Sequence, residues 1–272
     1  MSNEDNIVMY QGDDPEMEAV SKQARKTFRY FWREMSWEYR RIIPGLDLAA
    51  VKFPFTDLDV APGDPDTEHM WVSEIQCDGK EFTGTLLNSP AWLTNISAGD
   101  PVCEPVSEIS DWMFSIQGKV YGAYTVNLLR SRMSPRERKE HDQAWGLDFG
   151  DPEEIEVVYV EPQQTAGFLG LFGKKSVIDP EERRRAMIEH PMSINMGESL
   201  KESLKESKEM LHATDEDGWT MLHRDALAGN ATIVKILLKY GADKNLKTPD
   251  GDTALDLARI FGWKHVIKLL SD

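Results

Sequence analysis

Three side chains that could do chemistry lie together in the stretch EHMWVSEIQCDGKEFTG. Glu68 supplies a carboxylate, His69 an imidazole that can exchange protons near neutral pH, and Trp71 an aromatic ring. Such groups suit acid–base catalysis or ligand binding, and other acids and an aromatic residue further along the chain could join them. The candidate ligand pocket then comprises Glu68, His69, Trp71, Asp100, Asp111 and Trp112.

The spacing of these residues also argues against catalysis. Glu68 and His69 are adjacent, so an extended chain places them on opposite faces, whereas an acid–base pair needs one cleft. Asp100 stands in AGDPV, which is typical of a turn where Asp bonds its own backbone. The sequence contains no Gly-x-Ser-x-Gly, His-Glu-x-x-His or Cys-His pairing. We therefore assign no catalytic residue, and packing, partner contact and catalysis all stay open for His69.

The charge of the chain is unevenly distributed. The 272 residues carry a formal net charge of −16, of which −14 falls in residues 1–194 and −2 in residues 195–272. Such a field repels nucleic acid and anionic membranes and speeds the encounter with basic proteins. Acidity that serves only solubility is the alternative explanation. The charge therefore predicts a basic protein as partner, with no nucleic acid and no membrane.

The cysteine content and the N-terminus bear on the compartment. Cys77 and Cys103 are too few for a disulfide framework, which favours a reducing cytoplasm. No histidine cluster accompanies them, so we expect neither a metal site nor a cofactor. The acidic N-terminus lacks a secretory pattern, and no apolar run approaches the roughly 18 residues of a membrane span. We expect a cytoplasmic protein, and its oligomeric state does not follow from the sequence.

The first half of the chain predicts helices around a sheet. Apolar residues from Val20 to Met35 recur at helical spacing, and residues 48–55 and 70–77 form strands. The second strand should place Trp71, Ile75 and Cys77 on one face. Asp78-Gly79 predicts a type I′ hairpin turn into a returning strand, and the prolines of DPVCEPV predict an edge strand.

Further along, Gln117-Gly118 predicts a second hairpin. SPRE predicts a capping box that begins a helix over residues 135–145, and residues 155–161 should form another strand. Residues 163–176, with Phe168, Leu169, Leu171 and Phe172 among glycines, form either a linker or an apolar partner-binding loop. The predicted fold class is α+β, an antiparallel sheet with flanking helices.

The C-terminal part repeats with a period of 33 residues. Gly218, Thr220 and Leu222 recur as Gly251, Thr253 and Leu255, and Gly229 recurs as Gly262. This period, with Thr-x-Leu-His and Gly-Ala-Asp in register, resembles the ankyrin repeat, so the sheet should be followed by an all-α module. The sequence departs from the repeat at Met221, where proline is usual, and at Asp225, where a small alanine packs. We therefore predict a polar or exposed patch in the first repeat.

Two repeats fall short of the three or so needed for stability. We therefore predict that a helix over residues 198–212 caps the array and that the array packs on the acidic domain. Ankyrin arrays are recognition surfaces, so loop tips and inner helices should contact a partner. His223 and Trp219 also have a structural interpretation, because the Thr-x-Leu-His turn bonds its own backbone in this family. The predicted contacts are Asp217, Trp219, Arg224, Asp225, Lys247, Asp250 and Arg259.

The front part resembles a known family as well. The opening segment, with FTGTLLNSPAWL, ISDWMF and GKVYGAYTVNLLRSRMSPRERK, resembles the YegJ-like family of bacterial domains of unknown function. That resemblance implies an α+β domain and carries no catalytic residues over. We divide the chain into an acidic leader (1–16), a YegJ-like domain (17–161), a linker with a short helix (162–194) and a capping helix with two ankyrin repeats (195–272).

Three functions are compatible with these observations. A bacterial immunity protein that neutralises a basic toxin accounts for the acidity, the ankyrin repeats and the missing catalytic signature. A general adaptor or regulator accounts for the same features without a toxin. An enzyme or small-ligand binder with a pocket around His69 is the third, although the chain is more simply explained without enzymatic activity.

Overall fold

The computed structural model describes residues 14–59, 63, 65–165 and 175–272. An open antiparallel sheet of six strands, in the order β4-β3-β2-β1-β5-β6, forms the centre of the front part. A separate antiparallel pair, β7 and β8, follows it. The strands are β1 (Leu48–Thr56), β2 (Thr67–Cys77), β3 (Glu81–Leu86), β4 (Pro101–Pro105), β5 (Asp111–Ile116), β6 (Lys119–Gly122), β7 (Gln163–Thr165) and β8 (Lys175–Val177).

In the described part of the chain, three helices flank the sheet, three more bridge to the C-terminal part, and four build that part. We call the six-stranded sheet with α1–α3 the sheet domain, α4–α6 the bridging helices and α7–α10 the ankyrin helices. The bounds are α1 (Pro15–Glu38), α2 (Tyr124–Ser131), α3 (Pro135–Trp145), α4 (Pro180–Ile188), α5 (Pro191–Asn195), α6 (Gly197–Glu206), α7 (Met221–Ala228), α8 (Ala231–Tyr240), α9 (Ala254–Ile260) and α10 (Lys264–Ser271). The predicted α+β sheet followed by an all-α module is confirmed.

Helix α1 supplies the main core of the sheet domain. Asp14 caps it by accepting a hydrogen bond from the backbone N–H of Glu16, and Pro15 occupies the first turn. Ala24, Phe28 and Phe31 follow at helical spacing and are fully buried against one face of the sheet. The helical face predicted from the apolar spacing is therefore the face that packs.

The opposite face of the sheet carries a smaller core. Ala50 and Met113 from β1 and β5 pack with Val120, Val126 and Phe149. Helix α2 was not predicted. The chain after Gln117-Gly118 forms the four-residue strand β6 and then continues as α2. The second hairpin forms as predicted, and both of its turn residues have positive φ.

The alternation predicted for β2 is wrong. A β-bulge interrupts its pairing with β3 between Ser73 and Gln76, and Glu74 adopts a φ of 56°. The extra residue reverses the facing of the chain beyond it. Trp71 therefore lies on the second face, whereas Ile75 and Cys77 lie in the main core.

Two other local predictions need correction. The β2–β3 hairpin forms, but of Asp78 and Gly79 only the glycine has positive φ, so the turn is not type I′. The Asp78 carboxylate instead accepts hydrogen bonds from the backbone N–H groups of Lys80 and Glu81. Residues 155–161 are buried in part yet form no strand. The strand β4 lies at the edge, as its prolines predict.

The C-terminal part has the predicted ankyrin architecture. Thr220 and Thr253 each cap the first helix of a repeat, and the N3 side chains of His223 and Asp256 complete the capping boxes. The predicted capping helix is broken at Ser207 into α6 and a 3-10 turn, Lys208–Leu211. Leu204 and Leu211 are nevertheless buried against the repeats, with Leu200 partly buried beside them.

The ankyrin helices and the sheet domain share one continuous core. Trp219, Leu227 and Leu257 lie in the same cluster as Phe28 and Phe82 of the sheet domain. A Cβ added to the hairpin residue Gly79 would meet side-chain atoms of both Leu227 and Ile260, so the two surfaces touch closely there. The Lys80 ammonium adds a surface ion pair to Asp252, 2.6 Å away. The predicted packing of the array on the acidic domain is therefore observed.

The connection between α4 and α5 also joins the sheet domain to the ankyrin helices. His190 accepts the backbone N–H of Met192 at Nδ1, so its Nε2–H donates to the Glu34 carboxylate of α1 over 2.9 Å. Glu189 accepts hydrogen bonds from the backbone and the hydroxyl of Thr232 in α8. Consecutive residues thus bind the sheet domain and the ankyrin helices.

Candidate interaction groove and the polar cluster on the sheet

A groove of about 290 Å³ lies where the β2–β3 hairpin meets the loop tips of the ankyrin repeats. The hairpin forms one wall, because the turn at Asp78 and Gly79 projects towards the repeats. The loops that precede α7 and α9 form the other wall. We call this the acidic groove, and it is lined by Gln76, Cys77, Asp78, Glu81, Thr83, Asp217, Trp219, Arg224 and Asp250.

The charges of the acidic groove do not balance. Asp78 and Glu81 come from the hairpin, Asp217 and Asp250 come from the repeats, and Arg224 is the only basic residue among the lining residues. The Arg224 guanidinium is already engaged: it pairs with Asp217 and with Asp215, and it stacks over the Trp219 ring at 4.5 Å. The lining therefore presents net negative charge supplied by both parts of the chain.

The base of the acidic groove is inert. Trp219 is buried with its ring against His223, so it has the structural role that was one of its two interpretations. Burial raises the pKa of the Cys77 thiol, so this sulfur stays protonated and is a poor nucleophile. The groove can therefore hold positive charge, and none of its described lining residues is an activated nucleophile.

Four of the seven predicted contacts lie together in this groove: Asp217, Trp219, Arg224 and Asp250. Lys247 and Arg259 are exposed but do not line it.

Asp225 is fully buried, and the departure from alanine at this position has an internal explanation. Its carboxylate accepts hydrogen bonds from Arg40, which lies just beyond the C-terminus of α1, at 2.9 Å, and from the side chain of Asn230. The Trp37 indole in turn donates to the side-chain amide oxygen, Oδ1, of Asn230. The polar patch predicted in the first repeat is therefore a buried contact with the sheet domain.

The candidate ligand pocket does not assemble as a unit. Glu68 accepts hydrogen bonds from the backbone N–H groups of residues 91–93, and so holds a loop in place. Asp100 accepts one from the backbone of Ser97, as expected in a turn. Trp112 lies in the main core, where its indole donates to the Ala24 carbonyl oxygen. These three residues have structural contacts and do not converge.

The other three residues of the candidate pocket share the second face of the sheet around a residue that we did not predict. Lys52 of β1 is paired with Trp71 on one side and with Asp111 on the other. His69 lies two residues before Trp71 on the same strand, so its side chain projects on that face as well. We call Lys52, His69, Trp71 and Asp111 the polar cluster.

Within the polar cluster, Asp111 and His69 are held by neighbours. Asp111 is fully buried and accepts hydrogen bonds from the backbone of Trp112, Tyr124 and Thr125, which fixes the start of α2. The Ser110 hydroxyl donates to the Lys52 carbonyl oxygen, so the His69 Nδ1–H donates to that hydroxyl over 2.8 Å. Partial burial, and then the charge of Lys52, lower the pKa of His69.

A larger groove of about 700 Å³ lies between α2 and α3. Arg130 is buried in its wall, but its guanidinium already donates to both Asp142 oxygens, to Asn127 and to the Gly150 carbonyl oxygen. The buried charge in the wall of this groove is therefore already paired within the protein. Among the described residues, no group of three or more His, Cys, Asp or Glu side chains is arranged to hold a metal ion.

The sequence did contain signals for the residues that were missed. Lys52 interrupts the otherwise apolar strand LAAVKFPF, and a charge at such a position must face away from the main core. The hairpin wall of the acidic groove was not predictable, because no local pattern says which loop meets the repeats.

These features define a class of protein. The chain joins an antiparallel sheet domain to ankyrin repeats, a fold that supplies binding surfaces, and it therefore has a protein-interaction role. In the described part of the chain, every helix is too short or too polar to span a bilayer.

Comparison with known proteins identifies the family. A family model described as an uncharacterized protein conserved in bacteria (DUF2314) matches residues 14–149, and a model of ankyrin repeats matches residues 210–258. The chain belongs to the DUF2314 family and carries C-terminal ankyrin repeats. Both resemblances drawn from the sequence are confirmed.

Relatives show the same combination and its parts. An ankyrin repeat protein of Neisseria meningitidis serogroup B (NMB1133/NMB1171) is 44% identical over 98% of this chain and 97% of its own length. The uncharacterized protein YegJ of Escherichia coli K12 is 31% identical over 46% of this chain and 74% of its own. The human NAD-capped RNA hydrolase NUDT12 is 40% identical over 25% of this chain and 15% of its own.

Proposed function

We propose that this protein binds a basic partner protein in the acidic groove and neutralises it, as an immunity protein neutralises a toxin. The observation that carries the proposal is the convergence of Asp78 and Glu81 with Asp217 and Asp250 in one groove. The net charge of −16 supports it, because a negative field accelerates the encounter with a basic partner. Two free cysteines, Cys77 and Cys103, are in keeping with the cytoplasm as the place of binding.

The groove suits a basic side chain better than an extended apolar segment. Carboxylates on both walls can pair with a lysine or an arginine, and paired charges that are shielded from water bind more strongly than exposed ones. The apolar part of such a side chain would lie along Trp219 and Cys77. Binding should therefore require both the hairpin and the repeats.

Site-directed crosslinking in the native bacterium tests this proposal. A photo-crosslinking residue replaces Asp250 in the groove, and in a matched control it replaces Lys239, which is exposed on the outer helix α8. We expect one basic protein to be captured at position 250 and absent at position 239. The captured protein should inhibit growth when expressed alone and should be harmless when co-expressed with this chain.

The outcomes separate the alternatives. A basic partner that is harmless when expressed alone would support an adaptor and reject the toxin-neutralising function. Equal capture at both positions, or capture of acidic proteins only, would reject the acidic groove as the binding site.

A further inference from the structure

The polar cluster contains an amine, that of Lys52, for which the described part of the chain provides no hydrogen-bond acceptor. Lys52 lies on the central strand β1 between Trp71 and Asp111, which are both buried. Its ammonium lies 5.3 Å from the centre of the Trp71 ring. Among the described residues, no acceptor forms a hydrogen bond with this nitrogen, and no carboxylate lies within ion-pair distance of it.

The neighbours of Lys52 have other commitments. The Asp111 carboxylate is saturated by the backbone and hydroxyl donors at the start of α2. His69 is fixed through Ser110. Because Asp111 and His69 already have other hydrogen-bond partners, Lys52 is not needed to satisfy them. Within the part of the chain that the structure describes, Lys52 therefore does not belong to a structural ion pair.

Lys52 is also reachable. Its side chain is half-buried. On the neighbouring strand β2, His69 lies two residues from Trp71, the partner of Lys52, and is exposed. The polar cluster therefore opens to solvent beside His69, while Trp71 and Asp111 flank Lys52 on the two neighbouring strands. A small molecule can approach the amine along this edge, although neither groove described above extends to it.

Desolvation destabilises the charged form of Lys52 relative to a lysine in water. Burial lowers the pKa of Lys52, and the negative charge of Asp111 opposes that change. His69 faces Lys52 from β2. The positive charge of Lys52 lowers the pKa of His69, and the negative charge of Glu18 in α1 raises it. A desolvated lysine with a lowered pKa is the type of amine that reacts with carbonyl compounds.

We propose that Lys52 is a nucleophilic amine that binds small aldehydes or ketones as an imine on the second face of the sheet. The neutral nitrogen attacks the carbonyl carbon, and the oxygen leaves as water as the carbon–nitrogen double bond forms. The two hydrogens of that water come from the amine. Hydrolysis reverses the step, so no oxidant or reductant takes part.

Reductive methylation of the full-length protein tests this assignment. Formaldehyde forms the imine, dimethylamine–borane supplies the hydride that traps it, and peptide mapping by mass spectrometry gives the rate at each lysine. Lys247 is exposed on a loop of the repeats and serves as the reference in the same molecule. We expect Lys52 to react severalfold faster than Lys247 at pH 7, and to keep reacting at a lower pH than Lys247 does. Equal or slower reaction of Lys52 would overturn the proposal.

A second measurement checks the geometry on which the proposal depends. Because the charge of Lys52 lowers the pKa of His69, the Lys52→Met variant should raise that pKa in an NMR titration of the His69 ring. Lys52→Arg keeps the charge and should leave the His69 pKa near its wild-type value while abolishing formaldehyde labelling at this position. An unchanged His69 titration in Lys52→Met would contradict the arrangement. The wild-type labelling needs no variant, so the test does not depend on either one folding.

The polar cluster and the acidic groove are separate. Loss of partner binding would leave Lys52 chemistry intact, and an unreactive Lys52 would leave the proposed function untouched.

Discussion

The sheet domain and the ankyrin repeats bury their cores in different ways. The sheet domain covers its main face with its own helix α1, whose Phe28 and Phe31 are almost fully buried. The ankyrin helices bury Trp219, Leu227 and Leu257 in that same cluster, so part of their core is completed by the sheet domain. Tyr30 and Trp37 of α1 likewise enter the second core of the repeats.

This difference explains how two repeats can be stable. A repeat cannot bury its apolar faces alone, and arrays usually need about three units with polar caps at their ends. Here α6 and the 3-10 turn cover one side, and the sheet domain occupies the surface of the inner helices. The same contact that stabilises the repeats also removes Trp219 and Asp225 from the surface and leaves the acidic groove at the edge.

The largest expected effect follows from separating the two parts. We expect the full chain to unfold cooperatively in urea and a fragment of residues 195–272 to lack such a transition, because Trp219, Leu227 and Leu257 would be exposed. Circular dichroism and Trp fluorescence during urea titration check this. A sharp transition shared by both probes would show that the repeats fold as an independent module. The repeats would then not need the sheet domain to complete their core.

The next largest effect concerns the packing within the repeats. Gly229 and Gly241 both have positive φ, but an added Cβ at Gly229 would overlap the Trp263 ring, whereas nothing lies within 4 Å of one at Gly241. We expect Gly229→Ala to lower the free energy of unfolding by about 3 to 5 kcal/mol, and Gly241→Ala by about 1 to 2 kcal/mol. Urea denaturation of the two variants measures the difference. Equal losses would mean that the helix turn at Gly229 is not packed on Trp263.

A smaller effect concerns the polar contact between the two parts. Asp225→Ala restores the residue usual in ankyrin repeats, yet it should destabilise this chain by about 2 kcal/mol, since Arg40 and Asn230 lose their acceptor. A double-mutant cycle with Arg40→Met should give a coupling energy of about 1 kcal/mol. Additive effects would show that α1 and the first repeat are in contact without being coupled.

The smallest effect depends on pH and concerns the bridging helices. Burial opposes ionisation of Glu34, but the hydrogen bond from His190 and the charge of Arg41 outweigh it and lower the pKa of this carboxyl. The stability contributed by the ionised form is therefore present above the unfolded pKa of about 4.5 and is lost as pH falls through the lower folded pKa. Glu34→Gln should cost about 1 to 2 kcal/mol at pH 7. That difference from wild type should shrink below pH 4 in urea denaturation. A constant difference from pH 7 to pH 3 would contradict the linkage.

The sequence predicted the elements whose signals are local. Helical spacing located α1, Ser134 and Glu137 located the start of α3, and the 33-residue period located the repeats. It failed for β2, where a bulge at Glu74 reversed the facing of Trp71 relative to Ile75. A single extra residue in a strand leaves no signature in residue types.

The candidate sites show the same limit. The acids of the repeats were predictable because loop tips in a known repeat are exposed, but the opposite wall at Asp78 and Glu81 depends on tertiary packing. Three of the four members of the polar cluster, His69, Trp71 and Asp111, are predictable as candidate site residues, whereas Lys52 is not among them. The acidic leader up to residue 13 and the apolar segment with Phe168, Leu169, Leu171 and Phe172 lie outside the described residues.

Neutralising the two walls of the acidic groove separately tests the central claim most directly. One variant combines Asp78→Asn and Glu81→Gln, and a second combines Asp217→Asn and Asp250→Asn. The affinity of each for the partner captured at position 250 is measured at low and at physiological salt. We predict that each variant binds at least about tenfold more weakly, mainly through slower association, and that the salt dependence becomes shallower. Unchanged affinity in either variant would show that the groove is not a composite site.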